Sequence, residues 1–144
     1  MVFECKSINE TQKLAVRLAK ILNPGCVVVL IGELGSGKTT FTKGFARGIG
    51  VRDHVTSPTF KLVSEYEGRR FNLNHIDAYR MEGARDFLNI GGEEYLTPDN
   101  SITLIEWGDL LDDLYSDDVI RVIFSRVNNR KFVRKIEILG VEYV

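Results

Sequence analysis

The chain has 144 residues, of which 44% are hydrophobic, 27% charged and 10% aromatic. That size and balance predict a single domain spanning 1–144, with roughly 68% of the unfolded surface buried. Nineteen lysines and arginines against 20 aspartates and glutamates leave a formal charge of -1, which excludes the global positive field of a non-specific nucleic-acid binder, so direct RNA or DNA contact is not expected.

Ser7 followed by Glu10 reads as a capping box, after which Leu14, Leu18, Ile21 and Leu22 recur on one helical face until Asn23-Pro24-Gly25 ends the helix. Cys26 to Ile31 is short, continuously apolar and rich in β-branched residues, as in a strand buried on both faces of a parallel sheet. A glycine-rich turn follows. From Lys38 the positions Phe41, Phe45 and Ile49 return at helical spacing, with Gly50 as a stop and with helix-weakening glycines at Gly44 and Gly48. Phe60 to Tyr66 and Phe71 to Ile76 read as an antiparallel hairpin joined across Glu67-Gly68-Arg69, with Pro58 forcing an extended approach. Ala84 to Asn89 predicts a short helix stopped near Gly91-Gly92, and Thr97 to Asn100 a turn. Ile102 to Ile105 is a further buried strand, Leu110, Leu111 and Leu114 mark helical turns, and Val119 to Phe124 and Phe132 to Leu139 flank the polar turn Asn128-Asn129-Arg130. No run approaches the roughly 20 apolar residues of a membrane helix, and Met1 to Lys6 shows no basic segment leading into an apolar one. A cytoplasmic protein without membrane contact is expected. Cys5 and Cys26 form neither a disulfide framework nor a zinc spacing.

Gly32-Glu33-Leu34-Gly35-Ser36-Gly37-Lys38-Thr39 matches G-x-x-x-x-G-K-[ST] in the strand-to-helix setting that gives the pattern its meaning. Its glycines let backbone N–H groups converge on phosphates, the helix N-terminus adds a positive dipole end, Lys38 supplies a cation and Thr39 a hydroxyl for Mg²⁺. The bland alternative is a glycine-rich turn with a solvated lysine. Such a loop needs acids for the metal and for the attacking group. Glu106 follows the apolar run to Ile105, and Asp77 follows His75-Ile76. Either serves the metal, although an acid just past a strand also caps the next turn. No N-K-x-D guanine reader is present, which leaves ATP as the default nucleotide. Thr56 to Phe60 sits where such proteins carry a switch. Trp107 either stacks on a ligand or partner or packs in the core, and His54 and His75, lacking metal spacing, are expected to be structural.

Taken together, the phosphate loop continuing into Thr40-Phe41, Ser57-Pro58-Thr59-Phe60, His75-Ile76-Asp77-Ala78-Tyr79-Arg80, Gly92 to Leu96 and Ile105-Glu106-Trp107 resemble the TsaE family of P-loop ATPases, which is required for making threonylcarbamoyladenosine in tRNA. The resemblance spans most of the chain. It implies an α/β, three-layer P-loop NTPase-like fold with a mixed, mainly parallel sheet and an antiparallel hairpin. It further implies a Mg²⁺-dependent ATPase, weak alone and partner-coupled, that works with the TsaD and TsaB proteins, does not transfer the group itself, and reaches tRNA only through that complex. By position, Glu33 to Thr40 hold nucleotide phosphate with Lys38 at their centre, Thr39 and Glu106 serve Mg²⁺, and Asp77 orients or deprotonates water. Thr11 and, from the last hairpin, Arg130 resemble further nucleotide contacts. Many relatives have proline after the Glu-Trp pair, where this chain has Gly108. Two other readings stay open. One is a small-molecule or nucleotide kinase, against which stand the chain length and the lack of an arginine-rich lid. The other is a nucleotide-sensing interaction module without useful hydrolysis.

Overall fold

A computed structural model describes residues 1–58 and 61–144. Thr59 and Phe60, from the expected switch segment and the expected start of a strand, lie outside the described residues. The elements in chain order are β1 (Val2–Cys5), α1 (Ile8–Ile21), β2 (Val27–Ile31), α2 (Lys38–Gly48), β3 (Val63–Tyr66), β4 (Asn72–Asp77), α3 (Ala84–Asn89), β5 (Ser101–Glu106), β6 (Ile120–Val127) and β7 (Arg130–Leu139). Two 3-10 segments, Gly92–Leu96 and Gly108–Leu114, follow α3 and β5.

Local chemistry explains most boundaries. Ser7 Oγ accepts from the Glu10 N–H at 3.1 Å, while Glu10 Oε2 accepts from the Lys6 N–H at 2.6 Å. The reciprocal pair closes the α1 N-terminus one residue further back than the simplest capping box, and a cap of this kind contributes about 1 kcal/mol. The strand expected from Phe60 begins only at Val63, because Leu62 takes a left-handed backbone with φ 62°. Arg130, expected in the last turn, is already the first residue of β7, and the turn narrows to Asn128-Asn129, with Asn129 left-handed.

The seven strands form one sheet in the order β1-β7-β6-β2-β5-β4-β3. β6, β2, β5 and β4 are mutually parallel, and β3, β7 and β1 pair antiparallel at the flanks. β1 reverses the reversed β7, so five of the seven strands point the same way and the sheet is mixed and mainly parallel. All six residues of β5 are buried, as its position between β2 and β4 requires.

Each face of the sheet carries its own layer. Leu14 and Leu18 of α1 and Phe41 and Phe45 of α2 pack with Leu30, Leu73 and Leu104 on one face. Phe87 of α3 and Leu111 pack with Ile76 and Ile105 on the other. The glycines that weaken α2 have a packing reason. A Cβ at Gly44 would lie 2.6 Å from the Gln12 carbonyl oxygen, and one at Gly48 2.7 Å from Ala19 Cβ. Losing helix propensity of about 1 kcal/mol at each is offset by a closer α1–α2 approach, which fixes α2, and with it the phosphate loop, against the sheet.

Candidate functional site

The C-terminal ends of the parallel strands β2, β4 and β5 meet at one edge, where ligands bind open α/β sheets. β2 runs into the glycine-rich loop, which turns through left-handed backbone at Gly35 (φ 75°) and Gly37 (φ 109°) before α2 starts at Lys38. Asp77 and Glu106, the last residues of β4 and β5, are register partners. They stand side by side opposite the α2 N-terminus. A cavity of about 700 Å³ opens there.

Most of the residues expected to act there line this cavity. Leu34, Gly35 and Gly37 form its loop wall, and Lys38, Thr39 and Thr40 the helix start. Asp77 and Glu106 enter from the sheet and Thr11 from α1. Glu33 and Ser36 stand behind the wall and act on Lys38. The ammonium donates to Gly32 O at 2.6 Å and Glu33 O at 2.8 Å, with a longer contact to Ser36 Oγ at 3.4 Å. Its three protons are therefore spent on its own loop. Burial pulls the Lys38 ammonium below its ordinary range, opposed by Glu106, Asp77, Asp109 and Glu33. Arg130 does not line the cavity; it pairs with Glu4 at 2.6 Å on the surface. Phe132 and Arg134 of the same strand line it instead.

Trp107 takes a left-handed backbone, φ 59°, immediately after Glu106, a conformation that costs a non-glycine residue on the order of 1–3 kcal/mol. The turn brings its indole over Lys38, with Nζ 4.1 Å from the ring centroid, and against Tyr79 at 4.9 Å. Gly108 packs under Val29 and is tied down by Tyr115, whose hydroxyl donates to Gly108 O at 2.7 Å.

The acids have distinct surroundings. Glu106 is 3% exposed. Its Oε1 accepts from the Thr39 hydroxyl at 3.2 Å, and its Oε2 lies 2.6 Å from His75 Nε2. Ser57 Oγ is 3.3 Å from Thr39 Oγ1. Asp77 Oδ1 accepts from the Tyr79 N–H at 3.0 Å. Burial pushes the Asp77 carboxyl above its ordinary range, the Tyr79 N–H opposes this, neighbouring Glu106 adds to it, and His75 and Lys38 pull back.

Mg²⁺ fits this donor set. Thr39, Glu106 and Asp77 offer hard oxygens, and among the described residues no group of three or more His, Cys, Asp or Glu side chains forms a cage of its own.

His75, expected to be structural, does not line the cavity and meets the site only through Glu106. It is fully buried, and with the proton on Nε2 it donates to Glu106 and leaves Nδ1 without a partner among the described residues. The signal available in the sequence was its spacing, since positions 75 and 77 of a strand share a face. His75→Phe leaves Oε2 of the buried Glu106 carboxylate without its partner, with only Thr39 still donating to Oε1. We expect it to lower stability by about 3 kcal/mol in urea unfolding; an unchanged unfolding midpoint would remove His75 from this role.

Comparison with known proteins places the chain. The model of the family described as "Threonylcarbamoyl adenosine biosynthesis protein TsaE" matches residues 5–136. A tRNA threonylcarbamoyladenosine biosynthesis protein TsaE of Bacillus subtilis is 38% identical over 121 residues, covering 84% of this chain and 75% of the relative. The protein of the same name from Streptomyces coelicolor is 37% identical over 134 residues, covering 90% of each. The crystal structure of the Bacillus YdiB protein superposes with a TM-score of 0.75 at 32% identity, over 94% of this chain and 82% of that one. On sequence and fold alike, this chain belongs to the TsaE family.

Proposed function

We propose that the chain binds and hydrolyses ATP with Mg²⁺, and that it does so in the biosynthesis of threonylcarbamoyladenosine in tRNA, together with the TsaD and TsaB proteins. The observation that carries the reading is the convergence of Lys38, at the mouth of α2, with Asp77 and Glu106 across a single cavity. The loop N–H groups and the α2 dipole favour a phosphate chain at that mouth. A phosphate oxygen competes with Gly32 O and Glu33 O for the Lys38 ammonium, exchanging neutral acceptors for a charged one. Ile8, Leu34 and Phe132 are each at least 70% exposed and also line the cavity. They offer a heteroaromatic base the apolar cover that the phosphate end lacks.

Thr39 and Glu106 would hold Mg²⁺, which would supply charge neutralisation along the phosphate chain. Thr39 orients its hydroxyl, held by Glu106 and near Ser57. Asp77, its affinity for a proton raised by burial, accepts the proton of the attacking water as the water oxygen bonds to the terminal phosphorus and the bridging P–O bond breaks. The tRNA step rests on the family and on the names of the relatives. TsaD and TsaB rest on the resemblance of the motifs.

The experiment is phosphate release by the chain alone and with TsaD–TsaB. Alone, turnover is slow. Addition of saturating TsaD–TsaB changes the steady-state rate, and an identical rate with and without them would overturn the coupling.

A further inference from the structure

Arg126 and Arg134 are register partners across the antiparallel β6–β7 pair. Like charges directly opposite one another in a sheet repel, and among the described residues neither guanidinium has a carboxylate partner; Glu4 of β1 is taken by Arg130. What the two arginines hold is the phosphate loop. Arg126 Nη2 donates to Leu34 O at 2.9 Å, and Arg134 Nη2 donates to Gly35 O at 3.2 Å. Arg134 Nη1 donates to Lys131 O at 2.8 Å and Val133 O at 3.1 Å.

Every one of these acceptors is a neutral carbonyl, so neither guanidinium is paired with a carboxylate beside a loop that already presents backbone N–H groups and the Lys38 ammonium. The carboxylates that act on Lys38, namely Glu106, Asp77, Asp109 and Glu33, pair with neither arginine. Gly35 is part of the arrangement. A Cβ there would lie 2.7 Å from Arg126 Nη2, so glycine at this position lets a guanidinium reach the loop as well as allowing φ 75°. Arg134 lines the cavity, is half-buried, and has three of its five N–H donors engaged. Its Nε–H and the second Nη2 proton remain.

We propose that Arg134 is an arginine of the chain's own that contacts the phosphate chain of the nucleotide and makes the site selective for nucleoside di- and triphosphates over monophosphates. Arg126 is a positioning residue, fixing the Leu34–Gly35 backbone in the shape that receives the phosphates. This deepens the ATP reading above and rests on it.

The test is calorimetric titration of the parent, R134Q, R134K and R126Q with ATP, AMP and inorganic tripolyphosphate, all with Mg²⁺. R134Q loses about 10- to 100-fold in affinity for ATP, the range of a charge-assisted bond, and a similar factor for tripolyphosphate, which has no base. Its affinity for AMP moves by less than about threefold. R134K recovers part of the loss, because it keeps the charge and gives up the fork. R126Q weakens ATP and tripolyphosphate by a smaller and equal factor. An R134Q that binds ATP as tightly as the parent, or that loses ATP and AMP by the same factor as a merely structural wall residue would, overturns the proposal. Should R134Q fail to fold, the ATP-to-AMP ratio of R134K decides by the same criterion. A parent that binds no ATP sinks the functional reading itself, whereas a parent that binds ATP with R134Q unchanged sinks only this assignment.

Discussion

Alanine at position 38 lowers ATP affinity by about 100-fold, the factor that one or two hydrogen bonds to a charged group carry, and leaves the fold in place. The two halves of that expectation have one cause. The ammonium is buried and pulled below its ordinary range by desolvation, so in the ligand-free protein its charge is tolerated rather than rewarded. Gly32 O, Glu33 O and the Trp107 ring hold it in readiness, with the ring contact contributing about 0.5–2 kcal/mol. Removing the side chain loses those contacts and also the penalty of burying a cation, so the melting temperature should shift by only a few degrees. Calorimetry with ATP and a thermal melt check the two halves, and a Lys38→Ala protein that bound ATP like the parent would show that the loop is not a phosphate site.

Asp77→Asn separates chemistry from binding. Asparagine keeps the oxygen that accepts from the Tyr79 N–H but takes no proton, so turnover should fall by about 10²- to 10⁴-fold while ATP binding stays within a few-fold of the parent. The pH profile carries a second signature. The ionised carboxylate is the base, and burial pushes its pKa above the ordinary aspartate range. The acid limb of the parent's rate therefore lies at a higher pH than an exposed aspartate would give, and the limb is absent from the residual rate of the variant. Stability moves in the opposite sense. A carboxyl whose folded pKa is raised favours the folded state below its unfolded value, and that contribution is lost as pH rises through the folded value. Asp77→Asn therefore gains stability relative to the parent on going from pH 4 to pH 7. Should the variant hydrolyse ATP at the parental rate, Asp77 is not the base; the module that senses nucleotide without useful hydrolysis becomes the better reading only if the parent binds ATP without turnover and its partner affinity follows occupancy, unchanged in the variant.

What was legible in the sequence was local, and what was not depended on distant pairings. The phosphate loop, the α1 cap and the Asn128-Asn129 turn announce themselves within a few residues of chain, because capping, positive φ and helical spacing are short-range. β1 does not. Its four residues alternate weakly in burial, and they become a strand only because β7, more than 120 residues away, offers an edge. That unseen strand decides the fate of Arg130, since Glu4 of β1 captures it and leaves the cavity to Phe132 and Arg134, two and four residues further along the same strand. His75 was hidden for a similar reason. Its spacing to Asp77 places the two on one face of a strand, but its partner Glu106 lies 31 residues on, brought beside it only by parallel β4–β5 pairing. Gly44 and Gly48 counted against a helix by propensity, and only the approach of α1 gives them a purpose.

Trp107 is the single tryptophan of the chain, and its ring lies within about 4 Å of the ammonium that phosphate would draw away. Indole emission is sensitive to a nearby charge, so the fold has installed its own optical reporter at the mouth of the cavity. Occupancy can be followed in the unlabelled protein, in real time and without a dye, and the signal will report the lysine's departure rather than bulk unfolding.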